Sequence, residues 1–120
     1  MLNALSRIVR IATVLAFAFA MAGSPVRVFA AGAYIVQGAI ITNIMSTNGN
    51  TAGFAIITSG GSGACVNAEV YFPQSAAPDA DTFKRAYTAA LTAMTTGMRV
   101  TIYNYADSTC LTASYVQIYQ

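Results

Sequence analysis

Residues 79–97 read DADTFKRAYTAALTAMTTG and predict one helix from about Asp79 to Thr96. Asp79 or Asp81 can cap the first turn, where a carboxylate also suits the positive end of the helix dipole. Gly97 stands where a left-handed residue is needed to end the helix. Apolar residues at helical spacing predict a single stripe, formed by Phe83, Tyr87, Ala90, Leu91 and Met94. The many alanines let the sheet or another helix approach closely.

Three β-type segments precede this helix: Tyr34 to Ser46, Thr51 to Ser59 and Ala68 to Phe72. Asn48-Gly49 separates the first two, and Asn-Gly is the strongest short signal for a hairpin. Apolar residues on both faces of the second segment indicate a strand that is covered on two sides. Residues 60–64 are rich in glycine and predict a flexible loop that leads to Cys65.

Two β-type segments follow the helix, Met98 to Tyr105 and Ala113 to Tyr119. In the first of them polar and apolar residues alternate strictly, as in a half-buried strand. The element order is therefore β-β-β-α-β-β. It predicts a mainly β protein with one helix, folded as an OB-like five-stranded barrel.

The first thirty residues predict a cleaved signal peptide. Arg7 and Arg10 precede an apolar run of about twelve residues, whereas a helix that spans a membrane needs roughly 20. Cleavage is expected after Ala30 or, alternatively, after Ala22. Residues 31–120 then form a single domain of a secreted or periplasmic protein, and we expect no membrane span after cleavage.

Signal cleavage reverses the sign of the net charge. The whole chain carries +2, but residues 31–120 keep three cations and four anions, which gives −1. The anions are Glu69, Asp79, Asp81 and Asp107, and the cations are Lys84, Arg85 and Arg99. A basic stripe that could follow phosphates is missing, so nucleic acid is not an expected partner.

The chain has two cysteines, Cys65 and Cys110, and no histidine. In an oxidising compartment two cysteines indicate one disulfide. Zinc would need four ligands and a redox pair would need Cys-x-x-Cys spacing. We therefore predict a Cys65–Cys110 bond, with no metal and no cofactor.

Several of these segments resemble the small B subunits of bacterial AB5 toxins of the subtilase-cytotoxin and pertussis-like type. The matching elements are Asn48-Gly49, Cys65, the helix end at residues 93–97 with the strand after it, and Cys110. The chain also resembles a family of uncharacterised small secreted proteins of Gram-negative bacteria, through residues 84–87 and 102–105. Together the resemblance covers most of residues 39–119. It implies a non-enzymatic module that recognises a receptor and self-associates.

Catalytic groups are sparse. The commonest general base, histidine, is absent, and Glu69 stands alone on its strand. Asp79 and Asp81 are explained by helix capping, and Lys84 with Arg85 by a solvated helix face. We expect no enzyme, and a hydrolase is the least favoured alternative.

Tyrosines on the outward faces of the last two strands predict an aromatic patch formed by Tyr103, Tyr105, Tyr115 and Tyr119. Ring faces stack on sugar C–H groups, while hydroxyls and amides bond sugar hydroxyls. The candidate ligand-binding residues are Tyr103, Tyr105, Tyr115 and Gln117, followed by Glu69 and Tyr71. Two other interpretations stay open: ordinary strand tyrosines with their tips in water, and a subunit interface.

The function predicted from the sequence is a secreted binding module that recognises a glycan or a protein, as a homo-oligomer. The alternative is a periplasmic or envelope accessory protein without a small-molecule ligand. The low content of charged residues is in keeping with self-association, since part of the surface would then be buried.

Overall fold

The computed structural model describes residues 31–120, and the predicted signal peptide with both of its cleavage sites lies outside that range. The elements are β1 (Ala33–Met45), β2 (Gly53–Ser59), β3 (Glu69–Pro73), a 3-10 turn (Gln74–Ala76), α1 (Ala80–Thr96), β4 (Arg99–Asn104) and β5 (Tyr115–Tyr119). The predicted order of strands and helix is confirmed. None of the helices in this range has both the length and the apolar character that a membrane span requires.

The five strands form one antiparallel sheet in the order β3-β2-β1-β4-β5. β1 pairs with β4 through Ala33 to Ile40 and with β2 through Ile40 to Met45. A first strand shared between two partners in this way gives the OB-like order that the sequence predicts. The sheet is not closed, because β3 and β5 do not pair as strands. The word barrel therefore applies only loosely.

β1 can serve two partners because it is long and bent. Its register shifts between Tyr34 and Val36, between Gln37 and Ala39, and again after Ile41. Each extra residue bends a strand and increases its twist. Gly38 lies inside the second shift with φ of 69°, a conformation that glycine adopts without steric cost. The bend at Gly38 turns the two halves of β1 toward different neighbours.

The glycine-rich segment after β2 is not a free loop. The backbones of Ser62 and Gln37 exchange two hydrogen bonds, at 2.7 and 2.9 Å, and the Cys65 amide donates to the Ile35 carbonyl at 3.0 Å. A Cβ on Gly61 or Gly63 would overlap the backbone of β1. The prediction of a flexible loop is therefore wrong, because the glycines allow the segment to lie against the half of β1 that β2 leaves uncovered.

Cys65 and Cys110 form the predicted disulfide across 45 positions of sequence. Next to it, the Tyr71 amide of β3 donates to the Cys110 carbonyl at 2.7 Å, and the Ala113 amide donates to the Tyr71 carbonyl at 3.1 Å. The segment before β5 thus bonds to the edge of β3. This contact partly closes the gap between the two ends of the sheet.

The helix packs on the core with part of the predicted stripe and with two alanines outside it. Asp79 caps it by accepting a hydrogen bond from the Thr82 amide, and Gly97 ends it at φ of 70°, both as expected. The residues that it buries are Ala86, Ala90 and Ala93, while Phe83 and Tyr87 are partly buried. Leu91 and Met94 are 44% and 41% exposed. The prediction that Leu91 and Met94 belong to the covered stripe is wrong. The sheet instead packs against the three small alanines, which lie to one side of these two residues on the helix.

The core lies between the sheet and α1. The buried side chains alternate along the strands as the patterns predict, with Val70 and Phe72 on β3 and Val100 and Ile102 on β4. On β2 both faces are covered, because Phe54, Ala55 and Ile56 are all buried. Thr101 was predicted to face outward, and it is nevertheless buried, with its hydroxyl 3.3 Å from that of Tyr119.

One buried hydroxyl has no partner. Thr58 lies on the same face of β2 as Phe54 and Ile56, is fully buried, and its Oγ1 makes no hydrogen bond within residues 31–120. An unsatisfied buried polar group costs about 1–3 kcal/mol. We predict that Thr58→Val stabilises the fold by about 1 kcal/mol, measured by urea denaturation. Thr101→Val, which removes a bonded hydroxyl, is the matched control and should destabilise. Equal losses in both variants would contradict the prediction.

Candidate functional site

The patch of tyrosines predicted from the sequence is present on the outer face of the sheet. Tyr103 and Tyr115 are opposite each other on β4 and β5. The ring of Tyr103 lies 4.7 Å from that of Tyr105, and the ring of Tyr105 lies 6.4 Å from that of Tyr115, both edge-to-face. Tyr105 is 65% exposed and Tyr115 is 39% exposed. Both side chains are therefore partly accessible to a ligand.

A fourth ring belongs to this patch, and the sequence analysis missed it. Tyr34 of β1 pairs with Tyr103 across the sheet, with ring centroids 4.8 Å apart, and is 57% exposed. Tyr34 was missed because the sequence analysis considered only the tyrosines of the last two strands, although the OB-like order places β1 beside β4. The name aromatic patch is used below for the rings of Tyr34, Tyr103, Tyr105 and Tyr115.

Tyr119 and Gln117 stand apart from the four rings. Gln117 is exposed and opposite Thr101, further along β5 from Tyr115. Tyr119 is opposite Arg99 at the far end of β5, and its hydroxyl approaches Thr101. The prediction that Tyr119 belongs to the cluster of rings is wrong, because Tyr119 lies four positions further along the strand than Tyr115.

Glu69 and Tyr71, the two remaining predicted ligand-binding residues, lie on β3 at the opposite edge of the sheet from β5. The carboxylate of Glu69 accepts a hydrogen bond from Asn48 Nδ2 at 2.6 Å, and the Tyr71 hydroxyl lies 2.7 Å from Thr51 Oγ1. Both side chains therefore bond to the loop between β1 and β2. The structure does not join them to the aromatic patch.

The connection from β4 to β5 is organised by a buried asparagine. Asn104 is fully buried, and its Oδ1 accepts from the amides of Ala106 and Asp107 at 2.9 and 3.2 Å. Its Nδ2 lies 2.7 to 2.8 Å from Asp107 Oδ1, the Thr109 carbonyl and Thr112 Oγ1. An asparagine that bonds to nearby backbone stabilises an irregular turn. Asn104 therefore fixes the loop that presents Tyr105.

Asp107 completes this network. Its carboxylate accepts hydrogen bonds from the amide and the hydroxyl of Thr109 at 2.8 and 2.7 Å. These bonds, with those from Thr112 and Asn104, hold the pKa of Asp107 below its ordinary value, because they favour the charged form. The carboxylate of Asp107 is thus used to hold the loop.

A cleft of about 380 Å³ adjoins the aromatic patch at Tyr105. Pro73 also lines it, together with Ser75, Ser114 and Thr112, whose hydroxyl is bonded to Asn104 and Asp107. No charged side chain lines the cleft. An exposed ring beside several hydroxyls can stack on the C–H face of a neutral ligand and exchange hydrogen bonds with it.

The remaining chemistry in this part of the chain is limited. No group of three or more cysteine or acidic side chains within residues 31–120 is placed to hold a metal ion. Both cysteines are in the disulfide. The arrangement on the patch can bind by stacking and hydrogen bonding.

Strand order, disulfide and aromatic patch together define a small, disulfide-linked, mainly β protein with an OB-like sheet. The chain belongs to a family of unknown function, DUF5992, whose model matches residues 11–120. Comparisons with curated proteins and with solved structures give no match.

The network around Asp107 predicts a pH dependence of stability. Because its folded-state pKa is lowered, these hydrogen bonds stabilise the fold above the unfolded-state pKa, and that stabilisation is lost as pH falls below the unfolded-state pKa and through the lowered folded-state pKa. We expect Asp107→Asn to reduce this loss, measured by urea denaturation at pH 7, 5 and 3. Asp81→Asn, at an exposed carboxylate in the first turn of α1, serves as control. Identical pH profiles for wild type and Asp107→Asn would contradict this prediction.

Proposed function

We propose that the protein is a non-enzymatic binding module that recognises a neutral glycan through the aromatic patch and the adjoining cleft. The observation that supports this most is the exposure of the Tyr105 ring, at 65%, beside a cleft lined by hydroxyls. The loop that carries Tyr105 is held by the network of Asn104 and Asp107. A binding group that is fixed in advance loses less conformational entropy when it binds.

The charge pattern favours a neutral ligand. The cleft has no charged lining, and the nearest carboxylate, that of Asp107, is occupied by hydrogen bonds from Thr109 and Asn104. A sugar presents an apolar C–H face and a ring of hydroxyls, which matches tyrosine rings surrounded by serine and threonine.

The proposal includes export. A disulfide persists in an oxidising compartment, and the Cys65–Cys110 bond is compatible with a secreted or periplasmic protein of a Gram-negative bacterium. The charged and apolar pattern of residues 1–22 supports a signal peptide. The resemblance to AB5 toxin B subunits, carried by residues 48–49, 65, 93–103 and 110, belongs to this proposal and adds the expectation of a receptor on a cell surface.

The two edges of the sheet differ in their ability to pair with another chain, and the β5 edge supports self-association. At the β3 edge, Tyr71 bonds to the segment before β5, Glu69 is charged, and Pro73 cannot donate to a further strand. At the β5 edge, Tyr115–Tyr119 has no charge, no proline and no glycine, and within residues 31–120 its backbone pairs only with β4. We place a second copy at this edge, with the two β5 strands antiparallel and centred on Gln117.

A glycan array tests the binding proposal. We expect wild type to bind at least one neutral glycan, and Tyr105→Ala to weaken that binding by about ten-fold or more, since about 1.4 kcal/mol of ring contact would be lost. Leu111→Ala is the matched control, because Leu111 lies in the same loop, is 62% exposed and is not aromatic. Failure of wild type to bind any glycan would instead favour an accessory envelope protein.

The molar mass from light scattering after size exclusion tests whether a second copy pairs at the β5 edge. Wild type is expected to be a dimer or larger, and Gln117→Lys is expected to be monomeric, because it would place two lysines opposite each other. Gln37→Lys makes the same change on β1, an inner strand, and should leave the assembly intact. Monomeric wild-type protein at high concentration would rule out pairing at β5.

A further inference from the structure

One side of α1 carries apolar side chains that the sheet covers only in part, since Phe83 and Tyr87 are partly buried against the core. Phe83, Tyr87, Leu91 and Met94 follow one another at helical spacing, so each lies beside the next on the helix surface. The sheet covers the neighbouring alanines instead, which leaves Leu91 and Met94 exposed at 44% and 41%. Singly scattered exposed apolar residues are common, but these four form one row. The name apolar row is used for them below.

The apolar row begins at a cleft of about 470 Å³ between α1 and the β1–β2 hairpin. Its aromatic walls are Phe54, Phe83 and Tyr87, and Ser46 and Thr88 complete the lining with Lys84. The ring of Phe54 lies 5.5 Å from that of Phe83 and 5.1 Å from that of Tyr87, and it stacks on Phe72 at 4.5 Å. These contacts fix the walls, so the cleft is formed before any ligand arrives.

Lys84 supplies the only charge in the lining of this cleft. It is exposed, and within residues 31–120 its ammonium donates no hydrogen bond to another side chain, whereas Arg85 donates to Thr82 Oγ1 at 2.8 Å. The Thr88 hydroxyl donates to the Lys84 carbonyl at 2.9 Å, and no hydrogen bond within residues 31–120 joins it to the ammonium. Asp81 precedes Lys84 by one turn and does not line the cleft. The cleft therefore combines aromatic walls with one available cation.

We propose that this cleft and the apolar row bind one molecule of a long-chain carboxylate, taken up from solution as a monomer and not as a micelle. The carboxylate pairs with the Lys84 ammonium, and the acyl chain passes over Tyr87 toward Leu91 and Met94. From Lys84 to Met94 the helix rises by roughly 15 Å at 1.5 Å per residue, which suits an extended chain better than a compact ring. Complementary charge sets the direction of the chain, and apolar contact supplies most of the affinity.

This site is separate from the proposed glycan site, because the two clefts share no lining residue. Loss of glycan binding in Tyr105→Ala would leave it untouched. A failure of one proposal therefore does not decide the other.

Calorimetric titration with sodium dodecanoate below its micelle concentration tests the site. We expect saturable binding with one molecule per chain, weakened about ten-fold by Lys84→Gln and also weakened by Leu91→Glu. Arg85→Gln removes the neighbouring cation, which does not line the cleft, and should bind as wild type does. Urea denaturation of each variant separates a loss of binding from a loss of folding, and all three substituted side chains are exposed.

Two further probes test the charge of the ligand and the alternative of docking on a membrane. Dodecyltrimethylammonium has the same chain with the opposite charge and is expected to bind at least ten-fold more weakly. Phosphatidylglycerol vesicles test whether the apolar row docks on a membrane instead. Equal binding of the cationic amphiphile, binding to vesicles without binding of monomeric dodecanoate, or no loss of affinity in Lys84→Gln would each overturn the proposal.

Discussion

The bond between Cys65 and Cys110 joins the two irregular segments on which the shape of the sheet depends. The segment that ends at Cys65 pairs with the half of β1 that β2 leaves free, and the segment that begins at Cys110 pairs with Tyr71 of β3. Neither segment is a regular strand, and each replaces a neighbour that the open sheet lacks. Cross-linking positions 45 residues apart stabilises the fold by roughly 4 kcal/mol on the chain-entropy model. For a domain of this size that is a large share of the total stability.

The loop between β4 and β5 connects the disulfide to the candidate glycan site. Asn104 and Asp107 hold the chain between β4 and Cys110, and Tyr105 lies inside this stretch. An exposed ring would otherwise move freely on an irregular loop. Here its position is set on one side by the β4 strand and on the other by the network of Asn104, and the disulfide follows within a few residues. The proposed binding surface thus depends on the segment that links the two ends of the open sheet.

The helix shows how packing and pattern diverge. A row of large apolar residues usually marks the buried face of a helix, yet in α1 the residues that approach closest are Ala86, Ala90 and Ala93. Small side chains let a helix come nearer to a sheet, so the large ones move to the side. That displacement opens the cleft at Phe83 and leaves Leu91 exposed. The second proposed site arises from this displacement.

The sequence alone determined the element order, the limits of the helix, the hairpin and the disulfide. Each of these depends on local signals, namely alternation, capping by Asp79, a left-handed stop at Gly97, and a single pair of cysteines in a chain without histidine. Only the tertiary structure showed that the ring of Tyr34 on β1 joins the aromatic patch and that Glu69 and Tyr71 bond to a loop away from it. It alone also decided that the glycine-rich segment is bound to β1. Strand neighbours and backbone contacts between distant segments depend on how the whole sheet bends, and no local pattern encodes that bend.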